Sequence, residues 1–259
     1  MSETLDARIS AVYVKNVSKQ NDKNTYDGSD LKDISFSFEK KGVHCILAPK
    51  GSGKTELMDI LSGSSSVDSG EIAVFERSPY GNSEAKAKIG YLRQDNSLYE
   101  NMTAVELMSF VGEVRRVEQG KLYRQIKEAL ELVGLDDSKN KLISNLTEYD
   151  RKKLSLASAL LGNPDILLLD EPITARMSSE RKEELLSIIA MLGRIKTVVV
   201  TTDSLIIARE LCEDVVILSD GRVLAEGAFE TIDRRLADSE NPTTLETLYG
   251  SLSLGNVGE

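Results

Sequence analysis

Apolar positions change their spacing along this chain in a way that divides it. Residues 9–17 (ISAVYVKNV) and 34–38 (ISFSF) alternate apolar and polar, as half-buried strands do. Between them, the polar stretch Ser18–Asp30 reads as a loop or hairpin connection. Residues 43–48 (VHCILA) are continuously apolar, as a strand covered on both faces would be. A glycine-rich turn follows, then helical spacing over Lys54–Leu61 and a Gly, Ser and Asp loop over Gly63–Gly70. Strand-like pieces recur at 71–75 and 88–92. Spacings of three and four then predict helix over 103–133 and 148–162, with Pro164 as punctuation. Strands return at 166–170, 197–202, 214–218 and 222–225, with a helix at 179–192. Asp220-Gly221 is a strong hairpin turn between the last two strands. From residue 228 the pattern reads as short helices broken at Asp238–Pro242.

Strand, crossover helix, strand is the signature of a parallel α/β sheet. The expected fold is α/β, with a mostly parallel core sheet, an antiparallel β part near the N-terminus and a helical insertion. One domain is expected. Residues 1–94 and 163–227 would form its core, 95–162 the helical subdomain and 228–259 a helical tail.

Length and composition narrow the class. With 259 residues, 41% hydrophobic and 29% charged, the chain is ordinarily globular and long enough for a substantial core. No apolar run approaches the ~20 residues that cross a bilayer. Met1–Ser10 carries Glu3, Asp6 and Arg8 without a following apolar segment, so no signal peptide is read and a cytoplasmic location is expected. A net charge of −10 argues against a nucleic-acid partner. Cys45 and Cys212 sit in apolar stretches and are expected to be reduced core residues. The single histidine, His44, rules out a histidine metal cluster.

Two motifs carry chemistry. Residues 48–55 read A-P-K-G-S-G-K-T against the phosphate-loop pattern G-x-x-x-x-G-K-[ST], departing only at Ala48. Gly51 and Gly53 let backbone N–H groups close on phosphate oxygens, and the helix that follows presents its positive end. Lys54 would reach the terminal phosphates and Thr55 would ligate Mg²⁺. The candidate contact set is Pro49, Lys50, Gly51, Ser52, Gly53, Lys54, Thr55 and Glu56. Ile166–Pro172 reads I-L-L-L-D-E-P, a buried strand opening onto two carboxylates where open α/β sheets bind ligands. Asp170 would join the Mg²⁺ shell, and Glu171 would orient or deprotonate an attacking water.

With these motifs the chain resembles the ABC (ATP-binding cassette) ATPases over nearly all of residues 9–227. Tyr91-Leu92-Arg93-Gln94 looks like the family's Q-loop, and Ser144–Pro172 follows its run from signature motif to acidic strand. The resemblance implies ATP and Mg²⁺ as ligands, Gln94 near the metal or the water, and Lys54, Gln94 and Glu171 as the groups serving hydrolysis. It also implies head-to-tail pairing with a second ABC subunit, identical or not, and docking on a membrane permease at the inner face of the cell membrane. Thr244–Ser253 is similar to the tail of bacterial export-type subunits, although a plain amphipathic helix explains it equally well.

The chain also departs from the family. The signature L-S-G-G-Q is replaced by Leu146-Thr147-Glu148-Tyr149-Asp150, so both glycines are lost and two carboxylates gained. A like charge ~6 Å from a phosphate is worth roughly 3 kcal/mol at an effective dielectric of ~20. The alternative, which we favour, is that Thr147–Asp150 only caps the next helix. Asp203 stands where the family has a switch histidine, and an ionised Asp203 cannot donate to phosphate; it too reads more readily as a helix cap. The D-loop aspartate is absent from Thr174-Ala175-Arg176-Met177. The adenine-stacking aromatic is missing near Asn21, leaving Tyr26 or Tyr13 as substitutes. Three functions follow in order. The first is an ATP-binding transporter subunit with slow hydrolysis. The second is a non-catalytic regulatory subunit beside an intact ABC partner. A soluble ABC protein acting on nucleic acid is the least favoured.

Overall fold

A computed structural model describes residues 10–20, 29–95, 97–239 and 242–255. The strands are β1 (Ser10–Lys19), β2 (Leu31–Glu39), β3 (Gly42–Leu47), β4 (Ser69–Val74), β5 (Ile89–Leu92), β6 (Ile166–Leu169), β7 (Thr197–Thr202), β8 (Asp214–Ser219) and β9 (Arg222–Ala228). They form two sheets. The larger has the order β5-β6-β7-β3-β8-β9, parallel throughout except for β9, which returns antiparallel through the Asp220-Gly221 turn. The smaller is antiparallel, β2-β1-β4. The mixed α/β fold with a parallel core and a separate antiparallel sheet is the one the sequence predicts.

Burial follows the sequence pattern. Every residue of Ile166–Leu169 and Thr197–Thr202 is buried, because helices or the second sheet cover both faces. The smaller sheet alternates instead, most clearly along β2. Its inner face packs Val12, Val14, Ile34 and Phe36 against Ile46, Leu168 and Val199 of the large sheet.

The helices are α1 (Lys54–Leu61), α2 (Ser83–Ala87), α3 (Ala104–Val114), α4 (Gln119–Leu132), α5 (Glu148–Ala159), α6 (Ser179–Gly193), α7 (Leu205–Leu211), α8 (Phe229–Ala237) and α9 (Leu245–Gly255). The helical spacing over 103–133 is realised as two helices, α3 and α4. Arg116 adopts φ +57° and reverses the chain between them. Leu122 of α4 then packs on Gly112 of α3, where a β-carbon would lie 2.2 Å from Leu122 Cδ1. The short α2 went unread. Its cap is Asn82, whose side chain accepts from the N–H groups of Glu84 and Ala85. Gly90 lets β5 approach the end of α5, since a β-carbon there would meet the Ala159 carbonyl oxygen at 2.2 Å. Cys45 and Cys212 are free and buried. Burial and a hydrogen bond between them push the Cys45 thiol pKa up.

Candidate functional site

Parallel pairing brings the C-terminal ends of β3, β5, β6 and β7 to one edge. Leu47 is level with Thr202, and Leu92 and Val200 are both level with Leu169. The residues just beyond these ends therefore become neighbours: Ala48 onward, Gln94, Asp170-Glu171 and Asp203.

In the loop after β3, Gly51 and Gly53 take φ of +78° and +89°, a conformation that strains other residues. Gly53 also lies so close to Leu31 that a β-carbon would sit 2.8 Å from Leu31 Cδ2. Ala48, the one departure from the motif, is fully buried and outside the left-handed region. Its N–H donates to the Thr202 carbonyl at 3.1 Å, continuing the β3–β7 ladder, so a methyl group costs nothing there. Pro49 is buried and Lys50 exposed. Glu56 lies in the first turn of α1, its carboxylate accepting from Ser65 Oγ at 3.0 Å. The Ser52 hydroxyl is buried and has no hydrogen-bond partner among the described residues, as suits a loop shaped to donate to a ligand oxygen.

Lys54 is 1% exposed and donates to the carbonyls of Ala48 at 2.8 Å and Pro49 at 3.1 Å. Its ammonium lies 3.3 Å from Glu171 Oε1. The Thr55 hydroxyl is 3.0 Å from Asp170 Oδ2 and 3.3 Å from Gln94 Oε1, either of which can accept its proton. Gln94 Nε2 donates to Glu171 Oε2 at 2.9 Å. The loop lysine and threonine, Gln94 and both carboxylates thus form one connected cluster.

Thr201, on β7, organises the acidic pair and was missed in the sequence. Its hydroxyl donates to Asp170 Oδ1 at 2.6 Å and accepts from the Glu171 N–H at 2.9 Å. The second bond holds Glu171 at φ +45°, an unfavourable conformation for a side-chain-bearing residue. Asp170 is fully buried, and burial pushes its pKa up. Donation from Thr201 and Thr55 acts the other way. A second unread group anchors the approach to Gln94. Arg93 Nη1 and Tyr91 Oη both donate to Asp59 Oδ1 of α1, at 2.7 Å and 3.1 Å. Threonine and aspartate are too common in such positions to have flagged either arrangement.

Asp170, Thr55 and Gln94 supply only oxygen donors, which fits a hard cation such as Mg²⁺. Among the described residues no group of three or more His, Cys, Asp and Glu side chains is placed to hold a metal. A cation here would therefore be shared with ligand oxygens, as Mg²⁺ usually is with phosphates.

The altered positions divide. Thr147 caps α5: its hydroxyl accepts from the Asp150 N–H at 3.1 Å and donates to Asp150 Oδ2 at 2.8 Å. The capping alternative describes this geometry. Tyr149 is buried, its hydroxyl 2.8 Å from Glu184 Oε2, while Glu148 is exposed. Met177 packs partly buried against the main core. Asp203 is exposed and does not cap α7. Ser204 does so, its Oγ accepting from the Ile207 N–H, because its side chain stands at the correct offset from the first free amides. Asp203 is held through its backbone instead, where Tyr249 Oη donates to its carbonyl at 3.0 Å. Tyr13 is buried within β1 and does not present its ring, while Asn21 and Tyr26 lie outside the described residues.

Comparison with known proteins places these features. A family model described as "ABC transporter" matches residues 31–174. An ABC transporter ATP-binding protein of Bacillus subtilis, YxlF, is 31% identical over 205 residues, covering 79% of this chain and 68% of its own length. The spermidine/putrescine import ATP-binding protein PotA of Thermotoga maritima is 27% identical over 217 residues. That match covers 83% of this chain but only 58% of PotA. Among solved structures, a dimeric ATP-binding cassette in a post-hydrolysis state with ADP and phosphate superimposes with a TM-score of 0.73 at 25% identity. It covers 84% of this chain and 98% of that one.

Proposed function

Since the chain belongs to the ABC transporter family as an ATP-binding subunit, we propose that it binds Mg-ATP in the Ala48–Thr55 loop and couples that event to a membrane permease, with slow hydrolysis. The observation carrying this reading is the convergence of loop and acidic strand, with Thr55 3.0 Å from Asp170 and Lys54 3.3 Å from Glu171. Loop amides and Lys54 would neutralise phosphate charge, and Gln94 and Glu171 would position and activate water. Mg²⁺, held by Thr55, Asp170 and Gln94, would supply further charge neutralisation when bound. The ADP- and phosphate-bound dimer among the structural relatives supports pairing with a second subunit.

Slow turnover is inferred from the altered positions. The Thr147 hydroxyl is spent on its own helix, and Glu148 replaces a glycine at the surface. The exposed Asp203 would repel a terminal phosphate rather than donate to it. Removing one such donor costs about 10²–10³ in rate in other enzymes. A permease contact is supported by the surface following Gln94. There Tyr99 and Phe110 remain 58% and 42% exposed and stack edge to face at 5.7 Å. No helix among the described residues is long and apolar enough to cross a membrane.

The decisive measurement is Mg-ATP affinity beside turnover for the purified chain. Binding with turnover well below that of Asp203→His supports the reading. Absence of nucleotide binding would overturn it, and brisk turnover by the wild type would remove the slow-hydrolysis part. The same observations at Thr147 and Asp203 favour a second reading, a non-catalytic subunit beside an intact partner. It predicts binding with no turnover, unchanged by Asp203→His.

A further inference from the structure

Behind Gln94 lies a cavity of about 140 Å³, between the segment after β5, the first turns of α5 and α6, and the turn at 174–177. A single water needs only ~10–15 Å³ of such space. One wall is Lys152, on α5, which is 5% exposed. Among the described residues its ammonium makes no hydrogen bond or ion pair. Partial desolvation of that cation holds the Lys152 pKa down. The charges of Asp170, Glu171, Asp95 and Glu148 act the other way and favour the cation. Two more cations line the space. Among the described residues Arg176 has no ion pair or hydrogen bond, and Arg181 stacks over the Tyr149 ring at 5.0 Å. The Gln94 and Thr174 side chains add neutral polar groups, and Glu148 contributes the single carboxylate among the lining residues.

Three cations against one carboxylate in the lining, with Lys152 making no hydrogen bond or ion pair among the described residues, suit a small tetrahedral oxyanion. We infer that this cavity is a second anion site, taking inorganic phosphate one side chain away from the phosphate loop. Gln94 is the partition: it lines the cavity and also bonds Glu171 and Thr55. A phosphate released at the loop would meet Lys152 on passing it. That last step rests on the function proposed above, whereas the anion site itself does not.

The test is equilibrium binding of radiolabelled inorganic phosphate to the full chain with saturating ADP, so that the loop is filled. Wild type should bind phosphate saturably. Lys152→Met should weaken it at least tenfold, Lys152→Arg should retain it, and Arg176→Gln, at an exposed position, should weaken it several-fold. Lys54→Ala should lose ADP but keep phosphate. The inference is overturned if wild type shows no saturable phosphate binding, if Lys152→Met and Arg176→Gln both bind as wild type does, or if Lys54→Ala abolishes phosphate binding. Failure of wild type to bind ADP would instead sink the nucleotide reading, with the phosphate measurement still deciding the anion site.

Discussion

Replacing Thr201 with valine removes one oxygen at nearly constant volume, so no cavity is opened. Two bonds are lost together. Asp170 Oδ1 loses a donor at 2.6 Å in a fully buried setting, and the Glu171 N–H loses its acceptor at 2.9 Å. A hydrogen bond to a charged group is worth about 1.5–3 kcal/mol and a neutral one about 0.5–1.5 kcal/mol, so Thr201→Val should cost about 2–4 kcal/mol. The loss should depend on pH. Burial already raises the Asp170 pKa, and Thr201 opposes that rise, so the variant's pKa goes higher still. A carboxyl whose folded pKa is raised favours folding when protonated. That benefit is complete below its unfolded pKa and is lost as pH rises through the folded value. The deficit of Thr201→Val should therefore widen from acidic to neutral pH, as ionised Asp170 comes to need the missing donor. Urea titrations at several pH values, compared at constant m-value, measure this directly. A variant within about 0.5 kcal/mol of wild type at neutral pH, the range of inert surface changes, would refute the reasoning. So would a deficit that does not change with pH.

Other consequences are open to measurement. Glu171→Gln keeps an acceptor for Gln94 but loses the carboxylate, so Mg-ATP affinity should stay within a few-fold while any hydrolysis falls at least 10²-fold; binding and turnover assays on one preparation decide it. Thr147→Ala should lower stability by about 1 kcal/mol, the usual value of an N-cap, and leave nucleotide affinity unchanged. A large affinity loss without destabilisation would show that the hydroxyl serves phosphate. Arg209 donates to both carboxylate oxygens of Asp233, at 2.9 Å and 2.8 Å, and pairs with Glu246 at 3.0 Å, tying α7 to α8 and α9. Arg209→Ala should speed proteolytic loss of the tail while the core resists; unchanged cleavage would count against that tether.

The sequence alone determined the repeating elements and the anionic-ligand loop. Those depend on local rules: four-residue apolar runs for doubly covered strands, Gly51 and Gly53 for a left-handed turn, and an apolar strand ending in Asp170-Glu171. The extent of α1 and β7, and the Asp220-Gly221 turn, follow from such rules. The tail helix α9 was legible from its spacing, and Leu245 and Tyr249 are its buried residues. Tertiary structure decided everything that depends on strands meeting. Thr201 lies 31 residues from Asp170 and reaches it only because β7 pairs with β6. The turn between α3 and α4 brings Leu122 onto Gly112, a contact between helices that no local propensity announces. Ser204 rather than Asp203 caps α7, since both residue types are good caps and only backbone geometry selects one. Lys152 looks like one more charge on a polar helix, and only the fold sets it at a cavity it shares with Gln94 and the 174–177 turn. Local periodicity encodes elements, whereas the identity of a neighbour across a sheet or between helices is set by the whole chain's packing at once.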